Sequence, residues 1–387
     1  MSNTVVDNVR ELLPALRERA QETEDARRVP AESIKLLRGT GFFKLLQPVR
    51  YGGFEADPLD HYTAVKLIAS ACGSTGWVAS VLGAHAWHLA TFPAQAQEDI
   101  WGRAPETLLS SAYAPLGTAT RVEGGFRLSG KWSFSSGVDH AGAAILGTLV
   151  KDEKGDTADY AAFLVPCEDY TVEDVWHTVG LRGTGSNDIV VDDVFVPAHR
   201  TLSFSDSFRC VCPGQEVNDS PLYRMPLYSV MTTTITTPLV GMATGAYEAH
   251  VAHQQDRVRA FAGGKAKDDP FAKVRVAEAA SEIDAAWLQL TRNLSDVHRA
   301  ARDGSGIPVG LRTRLRRDQV RAAERAIGAT DRLFENSGAS ALRDGTPIQR
   351  FWRDAHAARV HVAHDAEPAL KLFGDDEFGV SIDGGML

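Results

Sequence analysis

The chain has 387 residues, 44% of them hydrophobic and 24% charged, with a net charge of −9. That is enough to bury two or three cores in a multi-lobed soluble protein, and the acidic balance, without a long basic run, argues against a nucleic-acid or anionic-membrane partner. Asp7 and Glu11 stand where a signal peptide would be apolar, so a cytoplasmic protein is expected.

Residues 1–106 read as an N-terminal helical domain. Val5, Val9, Leu12, Leu16 and Ala20 recur at helical spacing, and Asp57-Pro58 is an N-cap followed by proline in the first turn. Residues 67–92 are almost uncharged and suit a buried helix pair broken around Gly73 to Gly76. His85, Trp87 and His88 lie in this segment, where a histidine is more often a satisfied core residue than a catalyst.

Residues 107–210 change texture to short apolar runs between turns, a central β domain. Thr118–Val122 and Phe126–Leu128 flank Gly124-Gly125 as a hairpin, and 143–150, 160–165 and 189–196 read as further strands. Trp132 to Gly137 sets Ser133, Ser135 and Ser136 beside the aromatic planes of Trp132 and Phe134, which suits a flat heteroaromatic ligand or a plain serine-rich turn. Gly180 to Asp188 is a glycine-rich loop whose amides and Arg182 could face a phosphate. A strand follows it, not a helix, so it is neither a Walker loop nor a dinucleotide fingerprint. The free thiols Cys72, Cys167, Cys210 and Cys212 have no ligand pairs at zinc-site spacing, and no metal is expected.

Residues 211–387 read as a C-terminal helical bundle and tail. Residues 225–246 are too rich in Thr and Pro for a membrane span. Asp269-Pro270 caps a helix carrying Ile283, Trp287, Leu290, Leu294 and Val297, which stops near Gly304. Another spans 309–335, ends before Gly338, and bears an arginine flank (Arg312, Arg314, Arg316, Arg317, Arg321, Arg325) read as a solvated or inter-subunit face. Helices this long suggest a bundle that also serves oligomer contacts. Three of the twelve histidines fall in Arg350–Asp365, which no Gly or Pro interrupts and which is expected to be one helix. At about 100° per residue His361, His364 and Asp365 share a face, with His356 roughly 140° away. This face is either solvated or an acid/base device.

Gly180 to Pro197 and Arg353-Asp354-Ala355 resemble the acyl-CoA dehydrogenase superfamily. The resemblance implies an α+β, mainly α fold: helical N-terminal domain, central β domain and C-terminal four-helix bundle, usually a homotetramer. The dehydrogenases carry a carboxylate base shortly after Arg-Asp-Ala, and here that register holds Val362, flanked by His361. Phe42–Pro48, Cys72–Val78, Ser135–Gly137, Lys265–Val274 and Gln349–His356 are closer to the flavin-dependent monooxygenase branch, the oxygenase components of two-component hydroxylases.

Carried over, that likeness implies FMNH2 or FADH2 from a separate NAD(P)H:flavin reductase, with O2 as co-substrate. A phenol, steroid-derived or similar, would be hydroxylated in the ortho position through a C4a-hydroperoxyflavin. The alternatives are a polyketide phenol, attack on nitrogen or sulfur, or an acyl-CoA dehydrogenase. Trp77, Ser111, Phe134, Ser135 and Ser136 would line the flavin, Ser136 near its reactive edge, and Arg257 or Arg259 would reach its phosphate. His361 would be the base, and His85, Trp87 and His364 would border the substrate. A phenol near pKa 10 and a histidine near 6.5 differ by about 3.5 units, roughly 4–5 kcal/mol. A base at His361 therefore requires concerted transfer or a site that stabilises phenolate.

Overall fold

A computed structural model describes residues 2–152, 154–258, 263–304 and 306–382. It opens with α1 (Ser2–Glu18), α2 (Ala20–Asp25), α3 (Ala31–Gly39), α4 (Pro58–Ala71), α5 (Gly73–Leu89) and α6 (Ala94–Trp101). Val5, Val9, Leu13 and Leu16 form the buried stripe of α1. Asp57 caps α4 by accepting the Leu59 N–H at 2.9 Å. The chain breaks at Cys72, whose extended backbone (φ −151°) separates α4 from α5. Every residue of α5 is buried, because it lies between the sheet and the bundle.

The sheet contains β1 (Leu109–Val122), β2 (Gly125–Ser135), β3 (Ala143–Lys151), β4 (Thr157–Pro166), β5 (Thr171–Glu173), β6 (Asn187–Pro197) and β7 (Thr201–Ser203) in the order β5-β6-β2-β1-β3-β4-β7. Only β1 and β3 pair in parallel among the described strands. The expected hairpin turns one residue earlier than its glycine pair suggests: Val122 faces Gly125, and Gly124 takes φ +76° between them. Trp132, Phe163, Ile145-adjacent Leu146 and Ile189 fill the sheet's own core.

After α7 (Phe204–Phe208) come the long helices α8 (Leu227–Asp256), α9 (Pro270–Asp303) and α10 (Val309–Ser337), then α11 (Pro347–Arg359) and α12 (Ala366–Glu377). Pro238 inside α8 leaves the Thr234 carbonyl without its helical donor, and the Ser80 hydroxyl of α5 supplies one at 2.7 Å. Asp269 caps α9 on Phe271 N–H, and Gly304 ends it at φ +71°. Among the described residues no helix is long and apolar enough to cross a membrane.

Two expectations are corrected here. The helix read through Asp365 stops at Arg359, and the chain continues as an extended residue, His361 (φ −66°, ψ 137°), into a 3-10 turn, Val362–His364. Side chains satisfy the backbone groups that further helix would have paired. His361 Nδ1 accepts the Ala363 N–H at 3.0 Å, and His364 Nδ1 donates to Ala358 O at 3.0 Å. Arg359 and Arg316 donate to the carbonyls of His364 and Ala363 at 2.9 and 2.7 Å. Nor is the arginine flank of α10 simply a solvated or inter-subunit face: Arg312 and Arg316 turn inward onto the carbonyls of Phe208 and Ala363, while Arg314 and Arg317 pair with Asp296 and Asp318.

Candidate active site

β2 ends in a distortion that aims a hydroxyl. Its register against β6 shifts between Trp132 and Ser135, and Phe134 adopts φ +70°, leaving its ring 68% exposed. Ser136 beyond it accepts the Trp77 indole N–H at 3.1 Å and lies 2.7 Å from Ser186 Oγ. Ser186 Oγ is in turn 2.7 Å from Thr184 Oγ1, and Thr184 donates its single hydroxyl proton to Leu181 O at 2.9 Å. One proton per hydroxyl then sets every direction: Ser186 donates to Thr184, and Ser136 donates to Ser186. A one-way chain runs from Trp77 to the Leu181 carbonyl, and Ser136 keeps one lone pair free.

The turn after α11 forms the opposite wall. The His361 ring meets Trp77 edge-on at 5.9 Å between centroids, and His364 at 6.3 Å. The imidazole is exposed, yet the protein packed around it removes part of the water that would solvate its charged form, and this, then the Arg316 charge, push its pKa down to about 4. His364 is fully buried, spends Nδ1 on Ala358 O, and is pushed down to about 3 by burial first. It fastens the turn and does not face the cleft. The Asp354 carboxylate is buried and accepts the Leu181 N–H at 2.6 Å, so it ties α11 to the loop that carries Thr184 and Ser186.

The other expected residues divide. Ser111 is half-buried on β1, beside Tyr113. His85 donates from Nδ1 to Leu109 O at 2.9 Å, because a carbonyl only accepts; its Nε2 carries the remaining lone pair. Trp87 is corrected to a core residue: it is 2% exposed and its indole N–H is spent on Leu222 O at 2.7 Å. The Ser135 hydroxyl is buried without a partner among the described residues. Arg257, which follows the last residue of α8, donates to Asn336 O at 2.7 Å. Arg259 lies outside the described residues. His356 pairs with Asp331 at 2.8 Å, away from His361.

Sequence reasoning missed Ser186, Thr184, Tyr113 and Arg316. The first two sit in the glycine-rich loop, which drew attention for its amides and Arg182 instead. The Tyr113 hydroxyl lies 2.7 Å from His88 Nδ1, a pairing of α5 with β1 that spacing along the chain does not reveal.

A helical layer, a β-sheet and a long-helix bundle meeting at a Trp–Ser–His cleft define a flavoenzyme of the acyl-CoA dehydrogenase fold. Residues 2–103 match the family described as "Acyl-CoA dehydrogenase, N-terminal domain" and residues 233–366 its C-terminal domain. The chain is 58% identical over 373 residues, 96% of its own length and 97% of the relative's, to the flavin-dependent monooxygenase oxygenase subunit HsaA of Rhodococcus jostii (strain RHA1). It is 37% identical, covering 98% of this chain and 95% of the relative, to the FADH(2)-dependent resorcinol hydroxylase oxygenase component of Rhizobium sp. (strain MTP-10005). The crystal structure of 3-HSA hydroxylase from Rhodococcus sp. RHA1 superposes with a TM-score of 0.96 at 56% identity, over 99% of both chains. The chain therefore belongs to the flavin-dependent monooxygenases of this fold, as an oxygenase component that uses reduced flavin and O2.

Proposed function

We propose that the chain hydroxylates a phenol ortho to its hydroxyl, a seco-steroid phenol before smaller ones, with reduced flavin from a separate NAD(P)H-dependent reductase. The similarity to an HsaA subunit and to a resorcinol hydroxylase supports the substrate class. The observation that carries the reading is the free lone pair of Ser136, whose partner Trp77 also meets the His361 ring. Reduced flavin bears an N–H at N5 where oxidised flavin has a bare nitrogen, so an acceptor whose own proton is already spent fits the reduced form. When bound, reduced flavin activates O2 and supplies the transferred oxygen atom.

The residues of this chain then have three tasks. Ser136 accepts at N5, held by Trp77 and Ser186. The apolar faces of α5 and α8 would keep bulk water from a bound flavin. His361 meets the phenol oxygen, with Ser111 and the open Nε2 of His85 bordering the ring. The dehydrogenase alternative has little support: Val362 stands where the base would be, 78% exposed, and Asp354 is committed to Leu181. A homotetramer is consistent with the large apolar side chains left bare, among them Phe271 at 74%, Val360 at 84% and Phe378 at 88% exposure. We place the enzyme in the cytoplasm, beside its reductant.

The test supplies the purified chain with NADH, a flavin reductase, FMN or FAD, and a panel of phenols including a seco-steroid. Catechol is followed by chromatography. Reduced flavin oxidised with only H2O2 formed, for every phenol, would remove the reading.

A further inference from the structure

We propose that His361 serves as a neutral hydrogen-bond donor to a substrate bound as phenolate, with Arg316 as the positioning residue that fixes it in that form. The proposal rests on the phenol-hydroxylase reading and changes the role that the resemblance implies for His361, from base to electrophile. Its ground is the hydrogen bonding of the turn. Nδ1 of His361 accepts the Ala363 N–H at 3.0 Å, so that nitrogen bears no proton. A neutral imidazole has one, which must then sit on Nε2. What His361 offers a ligand through Nε2 is an N–H, not a lone pair.

Arg316 locks this arrangement. Its Nη1 donates to the carbonyl of the same residue, Ala363, at 2.7 Å. That carbonyl shares its amide with the His364 N–H, which donates to His361 O at 2.8 Å, so the Arg316 bond polarises and strengthens the link that closes the turn on His361. Arg359 holds the next carbonyl, His364 O, and His364 Nδ1 returns to Ala358 O, so the turn cannot rotate without losing several bonds at once. While Arg314 and Arg317 pair with Asp296 and Asp318, the bond made by Arg316 goes to a carbonyl and leaves its charge close to both histidines. The charged and titratable groups around the turn are Arg316 from α10, Arg359 from α11, Tyr228 from α8, and His364 and Asp365 from the turn itself. Water displaced by the neighbouring protein and the Arg316 charge both oppose an imidazolium on the exposed ring.

A phenol near pKa 10 finds no acceptor at such a group. Its proton leaves to solvent as the substrate binds, and His361 transfers none. The Nε2–H then donates to a full negative charge, the stronger kind of hydrogen bond, and a neutral imidazole is a recognised electrophile in this sense. The ionised oxygen directs attack to the adjacent ring carbon.

Glutamine can donate from its amide and cannot act as a base, so it separates the two roles. The yield of catechol per reduced flavin consumed is measured for wild type, His361→Gln, His361→Ala and Arg316→Gln, using the phenol that wild type converts best. We expect His361→Gln within about 3-fold of wild type and His361→Ala at least about 10-fold lower. Equal loss in both would overturn the donor role. With the phenol saturating at every pH, because binding that releases its proton weakens about tenfold per unit of falling pH, wild-type yield should be level from about pH 5.5 to about pH 8, whereas a base of ordinary pKa would give an acid limb near 6.5; such a limb at saturation would overturn the proposal without any variant. In Arg316→Gln the acid limb should move up while yield near pH 8 holds, and a uniform loss at all pH values would reduce Arg316 to a structural role. No catechol from wild type with any phenol would remove the function reading itself.

Discussion

The two walls of the cleft solve the same problem in opposite ways. On the sheet side, Trp77, Ser136, Ser186 and Thr184 form a row of side-chain hydrogen bonds that ends on Leu181 O, and each hydroxyl proton is spent. On the bundle side, His361 is aimed by backbone groups, in a turn that interrupts what would otherwise be helix. The first wall offers a ligand one lone pair; the second offers one N–H. On the proposed reading, that complementarity of acceptor and donor would let one site hold a cofactor that donates and a substrate that accepts.

The walls are joined where the loop 179–186 docks on α11, and breaking that joint should have the largest effect. A Cβ at Gly180 would lie 2.1 Å from Arg353 O, with backbone on both sides of the clash. Gly180→Ala should cost about 2–3 kcal/mol, by the usual penalty of overpacking, and loosen both walls together. Thermal melting and flavin titration would check it; an unchanged melting temperature would mean that the two walls are not held through this contact.

The same joint should respond to pH through Asp354. Burial raises its pKa to about 6, despite the favourable Leu181 N–H, against about 3.9 in an unfolded chain. The folded state therefore holds this proton more tightly. The resulting stability is fully present below about pH 4 and is lost as pH rises through about 6, a change on the order of 1–3 kcal/mol. Asp354→Asn should therefore exceed wild type in stability near pH 8 and lose that advantage near pH 4. Denaturant melts of both proteins across this range would decide it, a constant difference counting against the joint as the titrating element.

Much of this could be read in the sequence where the cause is local. Asp57-Pro58 and Asp269-Pro270 announced α4 and α9 because a cap acts within three residues, and Gly304 ended α9 for the same reason. The break at Val360 could not be read, because Arg350–Asp365 contains no Gly or Pro. It is made by Arg316 from another helix and by two imidazoles bonding to the backbone. Ser136 and His361 came from the resemblance; helical periodicity had placed His364 and Asp365 beside His361 and gave no ranking. Trp87 drew notice for its neighbours, but its outward face on α5 is covered by the segment around Leu222, a contact between distant parts of the chain.

The smallest expected effect is also the sharpest test of the sheet-side wall. If Ser136 presents a bare lone pair because its proton goes to Ser186, wild type should bind FMNH2 more tightly than FMN, since only the reduced ring donates at N5. Ser136→Ala removes that acceptor and leaves the Trp77 N–H without its partner, so affinity for the reduced form should fall about 5-fold, near 1 kcal/mol, with oxidised flavin little changed. Ser186→Ala is the informative companion. It leaves the Ser136 oxygen in place but frees its proton, which can then turn toward N5 and donate, so preference for reduced flavin should narrow even though no group near the flavin has been deleted. Anaerobic titration of both redox states against the three proteins measures this. An unchanged ratio in Ser186→Ala would mean that the hydroxyl row does not set the direction of the Ser136 bond.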